Sequence, residues 1–286
     1  MPARKPTPTL RLRRLAAELR RLRSDASLTR EDVTERTGIN GATLYRIESA
    51  KARPQTRTLR ALLELYGVAE ADGAELVALA RQSDERSWLQ SFPTELPEVY
   101  TTYISFEGEA RALVNYECLF VPGLLQTEEY ARAALQRGMP TGTREEVQRM
   151  VEARLARQAV LTRDPPLRLW AIVDEGALHR PVGGHKVMAD QLQRLAASVE
   201  LPHVTLQVIP YGAGAHPGMA GSFVILQFGD EAADVAYIES QAGELFLEGE
   251  TDVARFNMIF DNLRALALPP DESAALVISI AHESQA

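Results

Sequence analysis

Between Thr29 and Pro54 the chain places four residues at offsets that leave the backbone little choice. Thr34, a small side chain, comes four positions before Gly38, and Leu44 and Ile47 follow at helical spacing. A small residue lets two helices cross closely, a glycine four residues later accepts the left-handed turn, and inward apolar residues seat the second helix on the first. The flanking signals agree. Thr29 is an N-cap with Asp32 three positions on, Gly38 stops the helix, and Asn40 caps the next one, GATLYRIESA. In that third helix Leu44 and Ile47 face inward while Thr43, Tyr45 and Arg46 stay outside. Lys51 to Pro54 form the exit loop.

The surroundings of this turn are helical as well. Residues 10–23, LRLRRLAAELRRLR, align Leu12, Leu15, Ala16, Leu19 and Leu22 on one face with arginines around the other. Thr56 to Tyr66 and about 71–82 are expected to add two more helices. Residues 83–99, with Pro93 and Pro97, lack a period and are expected to be a connector, although Trp88, Leu89 and Phe92 suggest that part of it docks. The expected domains are thus 1–82, the connector 83–99, and 100–286.

Charge divides the chain in the same place. Residues 1–66 hold 15 Lys and Arg against 7 Asp and Glu, a net of +8, whereas the remaining 220 residues hold 16 against 32, a net of −16. A basic module fused to an acidic body is the electrostatic footprint of a nucleic-acid binder whose overall charge conceals it. The single cysteine, Cys118, excludes an internal disulfide and a cysteine-held zinc site, which suits a reducing, cytoplasmic setting. No run approaches the ~18 apolar residues a membrane helix needs.

The whole string LTREDVTERTGINGATLYRIESAKARP resembles the lambda-repressor-like, or XRE, family of helix-turn-helix regulators over about residues 10–67. It departs from the family at Arg30, where glutamine is usual, at Thr34, where alanine is preferred, and at Tyr45, often serine. The resemblance implies that residues 40–48 form a recognition helix entering the major groove. Base contacts are then expected from Asn40, Ala42, Thr43 and Arg46: arginine suits guanine, asparagine suits adenine, and small residues suit a thymine methyl. Phosphate contacts are expected from Arg30, Tyr45, Lys51 and Arg53. Glu48 is expected to be structural, paired with Arg20 on the first helix, as is the family's habit.

Beyond residue 100 the expected pattern is mixed, so the chain is expected to be multidomain, all-α in front and α+β behind. Helices are expected near 104–115, 126–136 and 143–161, a strand at 167–173, a helix at 185–199 and a strand at 204–209. Three further extended runs, 222–228, 235–239 and 244–247, suit an antiparallel meander, and helices at about 250–266 and 271–282 close the pattern. The strings FEGEARALVNYECLFVPGLLQTEEYARAAL, WAIVDEGALHRPVGG, LPHVTLQVIPYGAGAHPG and VAYIES resemble the C-terminal domain of actinobacterial WhiJ-like, antitoxin-like transcriptional regulators. Many members of that family are encoded beside a small partner protein, so the resemblance implies the grip of such a partner; the second domain is otherwise expected to supply signal input, dimer contacts or both.

Within this part, Glu175, His179, Arg180, Tyr211 and His216 lie on loops beside strand ends and are the expected lining of a ligand cleft. Catalysis is not expected. Asp174 and Glu175 are adjacent and on a strand would point to opposite faces, no histidine pair has metal-ligand spacing, and Gly212-Ala213-Gly214 lacks a dinucleotide fingerprint. No cofactor or metal is implied. The reading is a DNA-binding regulator acting as a homodimer on a palindromic operator, with an antitoxin-like partner-binding module and a small-molecule sensor as alternatives.

Overall fold

Leucines three and four apart give α1 (Leu10–Asp25), whose Leu15, Ala16 and Leu19 are buried. In this computed structural model, which describes residues 10–82, 96–229 and 233–283, α1 is followed by α2 (Arg30–Thr37), α3 (Gly41–Glu48), α4 (Thr56–Leu65) and α5 (Glu70–Gln82). The caps are those the sequence signals. Thr29 accepts from the Asp32 amide while Asp32 accepts from the Thr29 amide, and Gly38 takes φ +70 with its N–H on the Thr34 carbonyl. Asn40 caps α3 through the Ala42 amide at 2.9 Å. One core unites the helices: Leu15, Leu19, Val33, Leu44, Ile47, Leu59 and Leu62 pack together with Tyr66 and Ala80. At the crossing of α2 and α3, Thr34 lies against the start of α3: a Cβ added to Gly41 would meet Thr34 Oγ1 at 3.6 Å, an ordinary contact distance.

The chain divides into two compact units, Met1–Phe106 and Glu107–Ala286. Residues 83–95 of the expected connector, with Trp88, Leu89 and Phe92, lie outside the described residues. Helix α6 (Glu98–Glu109) follows. Here one expectation is corrected: the helix does not run over 104–115. It begins and ends some six residues earlier, and Ala112–Glu117 is strand β1.

After β1 come α7 (Glu128–Gly138), α8 (Arg144–Arg157), β2 (Arg168–Asp174), α9 (Glu175–His179), α10 (His185–Ser198) and β3 (Val204–Ile209). Strands β4 (Phe223–Gln227), β5 (Val235–Ser240) and β6 (Gly243–Leu247) precede α11 (Glu250–Leu266) and α12 (Pro270–Glu283). The sheet order is β3-β2-β1-β4-β5-β6. β1 runs parallel to β2 and β2 to β3, while β4, β5 and β6 form the antiparallel meander. A mixed sheet with flanking helices results, and β2, α10 and β3 make the expected strand–helix–strand unit.

β1 lies between β2 and β4 and is buried along all but its last residue, which is why its sequence, ALVNYE, lacks a clean polar alternation. On one face of the sheet Val114, Tyr116, Ile172, Phe223 and Ile225 pack against Phe256, Phe260 and Leu263 of α11. The outer edge of β3 is covered: the Val208 amide donates to Ser273 Oγ and the Leu268 amide to the Val208 carbonyl, so α12 closes a strand edge that could otherwise pair with another chain.

Candidate functional site

Two places gather polar side chains that the folding of their unit does not by itself require. The first is the outer surface of α3. Because Leu44, Ile47 and Glu48 are drawn inward, Ala42, Thr43, Tyr45 and Arg46 are left exposed together, with Asn40 at the helix start. Asn40, Ala42, Thr43 and Arg46 are the residues expected to meet base edges and Tyr45 a phosphate, and the fold presents all five on one exposed surface.

The inner anchor of that surface is Glu48, fully buried. Its carboxylate accepts from Arg23 Nε of α1 at 2.6 Å and from Arg30 Nε of α2 at 2.7 Å. Arg20 reaches Glu48 too, but through the main-chain carbonyl. The expected partner of the carboxylate is therefore replaced by two others: one turn further along α1, Arg23 is the arginine that faces the α3 terminus. Three helices are thereby locked at one buried charge, and pairing holds the Arg23 guanidinium above its ordinary range.

Arg30 has a second contact. Its guanidinium lies 5.4 Å from the centre of the Tyr45 ring, and Lys51 Nζ lies 5.2 Å from the same ring. The loop after α3 puts Lys51 there: Ala50 takes φ +55, and the amides of Lys51 and Ala52 both return to the Arg46 carbonyl. Tyr45, 46% exposed, is thus flanked by two cations beside the exposed face of α3, which suits a phosphate-facing rim. Arg53 is exposed in the same loop.

The second place is the carboxyl end of the parallel strands, where β1 turns from a parallel neighbour, β2, to an antiparallel one, β4. Open sheets place ligands at such strand ends. Asp174 ends β2 and caps α9, accepting from the Gly176 amide at 2.9 Å, while Oδ2 contacts His216 Nε2 at 3.3 Å. Glu175 accepts from the Tyr211 amide at 2.6 Å and approaches His179 Nε2 at 3.4 Å. The His179 and Tyr211 rings stack at 5.8 Å. Hence the strand-to-helix turn brings both carboxylates onto the loop 210–222, where a continued strand would have parted them. Arg180 stands apart, exposed at the end of α9, its charge felt by the buried Tyr130 hydroxyl.

Several residues here were not singled out by sequence reasoning. Tyr116 of β1, fully buried, meets the His216 ring edge-on at 6.1 Å. Glu117 at the end of β1 is pushed up to about 7 by burial, against the opposing effect of its hydrogen bonds from Ser222 and Asn115. Asn115 lies on the same face of β1 as Glu117, with Nδ2 3.4 Å from Glu117 Oε1. No spacing signals this cluster, because its members come from β1, β2 and a loop a hundred residues further on. A cleft of about 630 Å³ also opens between α7 and α8, lined by Arg132, Met139, Arg144, Gln148 and Arg149 among others. Among the described residues no group of three or more His, Cys, Asp and Glu could hold a metal ion, and no helix is long and apolar enough to cross a membrane.

Comparison with known proteins follows the same division. A family model described as a helix-turn-helix domain matches residues 14–76, which take in most of α1, all of α2 to α4 and the first half of α5, and points to a DNA-binding regulator rather than an enzyme. A second model, described as a domain of unknown function (DUF5753), matches residues 100–279. No curated protein and no solved structure matches the chain.

Proposed function

The chain belongs to the family of the domain of unknown function DUF5753, and since a helix-turn-helix unit precedes that domain, we propose that it is a sequence-specific regulator that reads an operator with α3 and takes a signal through its second unit. The observation that carries this reading is the exposed row Ala42, Thr43, Tyr45 and Arg46 on a helix whose opposite side is wholly buried. Asn40, Ala42, Thr43 and Arg46 contact bases; Arg30, Tyr45, Lys51 and Arg53 hold phosphates. The protein binds as a homodimer on a two-fold site, because one short helix reads few base pairs and a symmetric pair multiplies affinity and specificity.

The second unit supplies the signal at the strand-end cluster of Glu175, His179, Tyr211 and His216. Duplex capture with purified protein tests the reading. Retention of a discrete set of sequences, weakened by salt and lost on Arg46→Ala, supports it; retention of random sheared DNA with equal affinity contradicts it. A second reading, an antitoxin-like grip on a small partner protein, is favoured by one observation: Leu119 and Phe120, neighbours on the turn after β1, are 53% and 41% exposed. Leu119→Asp with Phe120→Asp abolishes that partner's co-purification if the reading holds.

A further inference from the structure

Beneath the loop 210–222 lie two buried polar atoms with no hydrogen-bond partner, Tyr116 Oη and His216 Nδ1. The His216 side chain is only 4% exposed. Buried polar groups are ordinarily satisfied, and one left unmade costs stability, so two neighbouring orphans mark a place built for something else.

Their chemistry specifies the visitor. His216 Nε2 faces the Asp174 carboxylate, and an imidazole that donates from Nε2 to that carboxylate presents a lone pair at Nδ1. Tyr116 Oη accepts as well as donates. Burial first, and then the neighbouring Asp174, Cys118 and Glu117, push the phenol well above its ordinary range, so it keeps its proton. Two acceptors in a field of carboxylates match a group that has several N–H donors and a positive charge.

We propose that the strand-end cluster binds a small molecule through a primary ammonium group, which donates to His216 Nδ1 and Tyr116 Oη with Asp174 behind the imidazole. This deepens the signal-input reading of the second unit and rests on it. The ligand enters by movement of the loop. Residues 216–218 close directly over Tyr116, since a Cβ on Gly218 would stand 2.6 Å from ring atoms of Tyr116. Glu175 holds the Tyr211 amide at the start of the loop and Asp174 holds His216 at its middle, so the part that opens over Tyr116 is 217–221, ending at Gly221 with φ +133.

The test uses the full-length protein and calorimetric titration with ethanolamine and 1,4-diaminobutane, beside ethylene glycol and glycolate as neutral and anionic counterparts. The amines are expected to bind and to slow amide exchange over 211–221, and the counterparts to do neither. Tyr116→Phe is expected to leave the unliganded protein at least as stable, because it deletes an unsatisfied hydroxyl, while weakening amine binding about tenfold. An inert response to both amines, an equal response to ethylene glycol, or undiminished binding by Tyr116→Phe overturns the proposal. Duplex binding measured on the same preparation separates the two claims. DNA retention without amine binding removes the ammonium site alone, and amine binding without DNA retention removes the regulator reading while leaving the site.

Discussion

Replacing Glu48 by Gln removes one buried charge and leaves two guanidinium groups facing a neutral amide. The carboxylate is fully buried, whereas the side chains of Arg23 and Arg30 are 18% and 40% exposed. Breaking a fully buried pair costs about 3–5 kcal/mol, and here water reaches the arginines and glutamine keeps one acceptor, so about 2 kcal/mol is the working figure. A unit of this size has a total stability on the order of 4–10 kcal/mol. Since 1 kcal/mol moves the midpoint of a small domain by about 4–8 °C, the first unit should melt on the order of 10 °C lower. The assay is thermal unfolding of the full chain combined with amide exchange at Val33, Leu44 and Leu59, which report the core that Glu48 ties together. Arg21→Gln serves as the control. Its pairs with Glu18 and Asp25 are as short, 2.5 and 2.8 Å, but exposed, and its loss should leave the midpoint unmoved. Equal behaviour of the two variants would refute the claim that burial of Glu48, and not ion pairing as such, locks α3 in place.

Gly218→Ala should destabilise the second unit by about 1–3 kcal/mol, read by thermal unfolding, because the new methyl lands on the buried Tyr116 ring. Glu117, pushed up to about 7 by burial, binds a proton more readily in the folded chain than in the unfolded one. Its contribution to stability is therefore full at low pH and is lost as pH rises from about 4.5 to about 7. Glu117→Gln should accordingly stabilise the second unit at pH 8 and make no difference near pH 4, as denaturant titrations at the two pH values will show. Lys51→Ala should weaken binding to all duplexes alike and reduce the slope of log affinity against log salt by about 1, measured by fluorescence anisotropy over a salt series.

The first unit was legible because its determinants are local. Thr29, Asp32 and Asn40 accept from amides, and the Gly38 amide donates to a carbonyl, all within four residues of themselves, and the apolar positions 15, 19, 44 and 47 fall at helical spacing. Arg23 in place of Arg20 was not legible. A single helical turn separates them, and only the angle between α1 and α3 decides which reaches the carboxylate. β1 was missed for a related reason. Ala112–Glu117 is a strand through pairing with Arg168–Val173 and Phe223–Gln227, far along the chain, and a short segment buried between two neighbours shows no clean period of its own. Glu175, His179, Tyr211 and His216 were singled out from their positions beside strand ends, but which of them pair was not legible, because Asp174 and His216 meet only once β2 and the loop after β3 are side by side. Tyr116 went unnoticed because nothing in a sequence tells a satisfied hydroxyl from an orphaned one.

The exposed face of α3 is the surface proposed to read DNA sequence. Its most direct test is affinity capture of sheared host DNA by the intact protein beside a Thr43→Ala, Arg46→Ala double variant whose fold is verified by amide exchange. Discrete peaks sharing a two-fold motif, lost in the variant, are expected. Peaks that persist unchanged in the variant, or a wild-type profile no different from it, would contradict the claim.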